Sequence, residues 1–111
     1  MSVLKTKFWV DALVRRAETG FASAYVIRRG DEDAGTVLVK VVAADRLARL
    51  YVPARDEKGE RVWQLFRQSP VPETEADAYC EKRRKDDPDL WVIEIEDRDG
   101  RHFLTEPVEN P

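Results

Sequence analysis

Arg28-Arg29-Gly30-Asp31-Glu32-Asp33-Ala34-Gly35-Thr36-Val37-Leu38-Val39-Lys40-Val41-Val42 is the stretch on which the fold turns. Residues 22–28 read as a strand that runs into it. A polar turn bounded by Gly30 and Gly35 follows, and then the most β-branched run in the chain. Strand, glycine-bounded turn and strand in that order predict a β-hairpin, with the glycines supplying backbone freedom at the reversal. A hairpin alone is marginal in water, so the rest of the chain is expected to cover it.

Upstream, Val10, Leu13, Val14 and Ala17 lie on one side at 100° per residue, so residues 8–18 are predicted helical. Thr6 is the expected N-cap and Gly20 the expected left-handed C-terminal cap. Phe8 falls off the apolar stripe. A competing reading, a strand over residues 3–10, accommodates it better.

Downstream, a short turn at residues 43–46 precedes a strand over 48–52, which Pro53 ends or confines to an edge. Residues 61–67 alternate and read as a fourth strand. Ser69-Pro70-Val71-Pro72 is a rigid connection. Thr74-Glu75-Ala76-Asp77 has capping-box spacing, and the helix it opens runs to about Lys85. Its acids gather in the first turn and Lys82 to Lys85 in the last, which suits the helix dipole. Leu90 to Glu96 alternates, with Trp91, Ile93 and Ile95 inward. Asp99-Gly100 predicts a hairpin turn into a last strand over 101–104, and the tail from about residue 105 is expected to fray.

The expected fold is therefore α+β in one domain over residues 1–111. Its order is α-β-β-β-β-α-β-β, a single antiparallel sheet of about five to six strands with both helices on one face.

With 111 residues, 42% hydrophobic and 37% charged, the chain has enough apolar material for one core. No apolar run approaches the roughly 18 residues of a membrane span. The opening residues lack a signal-peptide core, and one cysteine excludes an internal disulfide, so a cytoplasmic protein is expected. Net charge is −3, unevenly spread: residues 1–55 hold 10 Lys/Arg against 6 Asp/Glu, and the remainder 9 against 16. Such asymmetry suits either a partner surface or two differently solvated faces of a sheet.

Catalytic parts are scarce. His102 is the sole histidine and Cys80 the sole cysteine, and mid-helix Cys80 is better placed for packing than for activation. One of each cannot make a structural zinc site, so no metal and no cofactor is expected. Asp31, Glu32 and Asp33 resemble a cation-binding loop, but three consecutive carboxylates cannot all converge on one ion. The arginine pairs Arg15-Arg16 and Arg28-Arg29, with Lys40, Arg46 and Arg49, suit phosphate. The acidic pI of about 5.3 argues against nucleic acid.

Phe8-Trp9-Val10 with Arg15-Arg16, Arg28-Arg29-Gly30-Asp31 with Asp33-Ala34-Gly35, Pro70-Val71-Pro72 with Glu75-Ala76-Asp77-Ala78-Tyr79, and the run from Asp87 to Arg101 together form a specific pattern. Over nearly its whole length the chain resembles the bacterial family catalogued as domain of unknown function 1491. The resemblance implies a compact domain and assigns no activity to any residue.

The function expected is a small protein-binding module without catalysis, with another protein or a second copy as partner and no membrane association. Its contact surface is placed on Arg16, Arg28, Arg29, Asp31 and Asp33. The alternatives are nucleic-acid binding through the arginine pairs, and a metal- or small-ligand-dependent enzyme built on the acidic turn.

Overall fold

In the computed structural model, which describes residues 4–109, two helices flank a seven-stranded sheet. The elements in chain order are α1 (Thr6–Thr19), β1 (Ser23–Arg28), β2 (Val37–Val42), β3 (Leu47–Arg55), β4 (Arg61–Leu65), β5 (Val71–Pro72), α2 (Glu73–Asp86), β6 (Trp91–Glu96) and β7 (Val108–Glu109). The α+β class and the two helices are as expected. The sheet is mostly antiparallel but mixed: β6 runs parallel to β2, and β7 parallel to β4.

The spatial order is β1-β6-β2-β3-β4-β7, with β5 beside β3. The hairpin expected at Arg28–Val42 is therefore corrected. β1 and β2 are not neighbours; β6 lies between them, antiparallel to β1 and parallel to β2. Two inter-strand spacings, roughly 10 Å, separate β1 from β2. The loop from Arg29 to Thr36 spans them by arching over the start of β6. The arch is tied down by the Asp31 N–H to the Asp89 carbonyl (3.0 Å), the Trp91 N–H to the Thr36 carbonyl (2.8 Å) and the Trp91 indole N–H to the Asp31 carbonyl (2.7 Å). Gly30 and Gly35 are needed for this closeness, not for a left-handed backbone. A Cβ on either would run into the Asp89 carbonyl and the Trp91 ring.

The helices cover opposite faces, which corrects the one-face expectation. Val10, Leu13 and Ala17 of α1 pack with Val39, Val41, Trp91, Ile93 and Ile95. Ala76 and Cys80 of α2 pack with Leu38, Val42, Leu50 and Val92. All six residues of β2 are buried as a result. A near-continuous apolar run is what a strand covered on both faces requires.

Local signals explain the remaining departures. α1 begins at Thr6, whose hydroxyl donates to the Gly35 carbonyl instead of capping its own helix. Gly20 has φ −83°, and the left-handed position falls on Phe21 at φ 68°. α2 begins at Glu73 with no side-chain cap, so Thr74 lies inside the helix. β3 continues through Pro53, beyond the reach of its pairing with β2, which ends at Tyr51. The missing donor of Pro53 costs the ladder nothing there.

The expected strand over 101–104 does not form. β6 is already paired on both edges, so a returning strand has no edge to join. Gly100 does turn, with φ 73°, but the chain then leaves the sheet. It is held by the buried Asp97, whose carboxylate accepts from the Arg101 N–H (2.8 Å) and guanidinium (2.7 Å). Residues 105–109, where the tail is expected to fray, are placed against β4. The Trp63 N–H donates to the Pro107 carbonyl at 2.8 Å, and Val108 and Glu109 pair with β4. Residues 1–3, the first residue of the competing N-terminal strand among them, and residues 110 and 111 lie outside the described residues. Residues 6–10 of that strand are helical.

Candidate functional site

The five residues singled out from the sequence do not converge on one volume. Asp31 spends its carboxylate on the turn itself, accepting from the Asp33 and Ala34 amides at 3.1 and 2.9 Å. Arg29 pairs with Glu32 at 2.8 Å and lies over the Trp91 ring. Asp33 faces Lys5 at 3.6 Å. Each acid of the turn thus has its own local task. Among the described residues, no three His, Cys, Asp or Glu side chains gather as a metal site would need.

The basic half does not form one patch either. Lys40 is only 4% exposed and lies 2.7 Å from both Asp77 and Glu94. Arg46 pairs with Glu73 and Glu96. Cys80 is buried, and burial together with the nearby Asp77 pushes its thiol up to about 11, away from reactivity. His102 packs edge-on against Tyr51, and its Nδ1 accepts the Leu104 N–H at 2.9 Å.

Two features remain once these side chains are accounted for. The first is the open edge of the sheet. β1 pairs only with β6, which leaves one row of its backbone groups free. Five of its six residues are exposed, with Tyr25 at 47%, Val26 at 45% and Ile27 at 58%. Just before it stands Phe21, 96% exposed and left-handed. Phe21 is forced there by the end of α1: its N–H returns to the Glu18 carbonyl and that of Ala22 to the Ala17 carbonyl. Beyond Ile27, Arg28 makes no ion pair among the described residues. It borders a groove of about 340 Å³ between β1 and α2, shared with Cys80, Glu81, Arg84 and Val92.

The second is a cleft of about 690 Å³ between α1, the arch and the β3–β4 hairpin. Trp9 and Trp63 stack in it with ring centroids 5.6 Å apart. Their indole N–H groups donate to the two oxygens of Glu106, at 3.1 and 2.9 Å. Burial alone would raise the Glu106 carboxyl, but these two donors and the Arg16 charge hold it below the usual range. Arg16 and Asp33 both border the cleft, the only two of the five sequence candidates to meet.

Sequence reasoning missed the open edge because the hairpin expectation placed β1 beside β2. The unalternating Tyr25-Val26-Ile27 gave no signal of it, since such a run reads as a strand covered on both faces. Nothing in the sequence near Glu106 linked it to Trp9 and Trp63.

An α+β protein with a mixed sheet covered on both faces is the class these observations define. Residues 4–105 match the family model described as "Protein of unknown function (DUF1491)", and the chain belongs to that family. It is 54% identical to a DUF1491 family protein from Caulobacter crescentus CB15. The crystal structure of that protein superposes with TM-score 0.91, over 96% of this chain and 100% of that one. Its NMR structure gives TM-score 0.87 over 98% and 99%. The solution structure of protein Atu0922 from A. tumefaciens is 32% identical, with TM-score 0.79 over 96% of each chain. A search of the curated proteins finds no match. No helix among the described residues is long and apolar enough to cross a membrane.

Proposed function

We propose that the protein is a cytoplasmic, non-catalytic module that binds an extended segment of another protein along β1. One observation carries the reading: an unpaired edge strand whose Tyr25, Val26 and Ile27 are all exposed, preceded by an almost fully exposed Phe21. Proteins that keep an edge unpaired normally blunt it with charge, proline or a bulge. Here the bulge comes only near the end, between Val26 and Arg28. An added strand takes its affinity from main-chain hydrogen bonds and its selectivity from pockets for alternate side chains.

The occupant is an extended peptide and not a second copy. Two six-residue edges meeting would cover about 20 Å by about 10 Å, far below the roughly 800 Å² per partner of a stable interface. A peptide gains further area by entering the groove between β1 and α2. Charge sets its direction: the unpaired Arg28 calls for a carboxylate at that end.

A displayed library of random extended peptides, selected against the protein, tests this. The expected winners alternate apolar residues, carry an acid at one end, and bind Ile27→Lys at least tenfold more weakly while its melting temperature holds. Absence of enrichment, or equal binding to Ile27→Lys, contradicts the reading. A dimer in sedimentation equilibrium that Ile27→Lys dissolves would replace the peptide with a second copy.

A further inference from the structure

We infer that the cleft between α1 and the β3–β4 hairpin is a separate site for a small amphipathic anion, an apolar or aromatic body carrying a carboxylate or phosphate. The inference starts from charges the fold leaves unused. Arg55 on β3 and Arg61 on β4 are directly opposite each other in the ladder, and both border the cleft. Like charges at directly opposed positions are destabilising. Yet among the described residues neither arginine has an acidic partner; Arg55 reaches only the Gly59 carbonyl, at 3.0 Å. Deeper in, Arg16 gives its Nε–H to the Phe103 carbonyl at 3.0 Å, and one of its terminal nitrogens is buried with no partner.

The acids of the cleft do not balance all of these groups. Glu106 answers Arg16 in charge but has both oxygens taken by the two indoles, and Asp33 already faces Lys5, so Arg55 and Arg61 are left without an acid. An anion at the mouth would relieve the Arg55–Arg61 repulsion, and their forked donors suit carboxylate and phosphate alike. Apart from Thr6, Thr36 and Thr105, the rest of the wall is apolar. Leu4, Trp9 and Pro53 border it, and the Trp9 indole, its N–H committed to Glu106 and its ring stacked on the buried Trp63, acts as a flat apolar surface. A volume of about 690 Å³ falls within the ordinary range for small-molecule sites, which pair apolar walls with a few placed polar groups. The cleft borders neither β1 nor its groove, so this site stands or falls independently of the peptide edge.

Four probes separate the possibilities: phenyl phosphate, benzoate, benzyl alcohol and inorganic phosphate, each titrated into the ¹⁵N-labelled protein. Saturable shifts of the Trp9 and Trp63 indole N–H signals are expected with phenyl phosphate and benzoate. The neutral alcohol and the bare anion should bind at least about tenfold more weakly. The Arg55→Ala/Arg61→Ala double variant should lose about tenfold in affinity for both amphipathic anions while melting no lower than wild type, since a repulsion is removed. Whichever of the two binds tighter names the head group. Equal binding of all four probes, absence of indole shifts, or wild-type affinity in the double variant would overturn the inference.

Discussion

Lys40 and Glu94 sit side by side on the parallel strands β2 and β6, with the ammonium 2.7 Å from the carboxylate. Asp77 and Glu73, one turn apart on α2, approach the same ammonium at 2.7 and 3.3 Å. The buried charge thus fastens α2 to the middle of the sheet. Burial by itself would lower the Lys40 pKa, but the hydrogen bonds and charges of Asp77 and Glu94 prevail and hold it above the ordinary value.

Lys40→Met keeps most of the volume and removes the charge, which leaves Glu94 largely buried without its partner. The expected cost is about 3 kcal/mol in urea unfolding, because an uncompensated buried charge is worse than no pair at all. Lys40→Met/Glu94→Gln should recover part of it. A cost below about 1 kcal/mol for the single variant would mean that Glu94 reaches water.

Gly35→Ala should destabilise by about 1–3 kcal/mol, since its Cβ meets backbone and a packed indole, neither of which can yield. Trp91→Ala should cost about 3–5 kcal/mol as the largest fully buried side chain. The Gly35→Ala/Trp91→Ala double variant should cost less than the sum of the two single costs, because removing the ring vacates part of the space the new methyl needs. Strict additivity would contradict the close approach.

His102 is the group that should respond first to acid. Burial lowers its pKa from 6.5, so the folded state resists a proton that the unfolded chain accepts. Its contribution to stability is complete above about pH 6.5 and is lost as pH falls through the depressed folded value. Melting temperature should therefore begin to drop below pH 6.5. His102→Asn, which keeps an acceptor for the Leu104 N–H, should flatten the profile down to the carboxylate range. An unchanged profile in that variant would assign the acid sensitivity elsewhere.

Phe21 spends stability where it gains no internal contact. A left-handed backbone costs a non-glycine residue on the order of 1 kcal/mol, and at 96% exposure the ring repays nothing within the chain. Phe21→Gly should raise stability by about 1 kcal/mol and weaken peptide binding to β1. A destabilised variant would show that the ring matters to the fold and not to a partner.

Much of this architecture was legible because it is local. The α1 stripe of Val10, Leu13 and Ala17 and the inward set Trp91, Ile93 and Ile95 follow from periodicity, which a sequence displays directly. What escaped was pairing at a distance. Nothing between Arg28 and Val42 announces that a strand 50 residues later will enter between its two arms. The two-residue strands β5 and β7 depend on proline-flanked segments being laid against β3 and β4, a tertiary effect without a local pattern. The candidate sites divide the same way. Arg16, Arg28, Arg29, Asp31 and Asp33 stood out as charge, but local partners satisfy Arg29, Asp31 and Asp33. The exposed Tyr25, Val26 and Ile27 look in sequence like any buried strand, because exposure is decided by which edge remains free.

Backbone amide exchange along β1, with and without a selected peptide, tests the edge most directly. In the free protein, the amides of Ser23–Arg28 that face away from β6 should exchange fast and those that face it slowly. On peptide binding, the outward set should gain at least about tenfold protection, since each new ladder bond must open before exchange. Protection that appears at the cleft instead, or leaves β1 unchanged while the peptide is bound, would contradict strand addition.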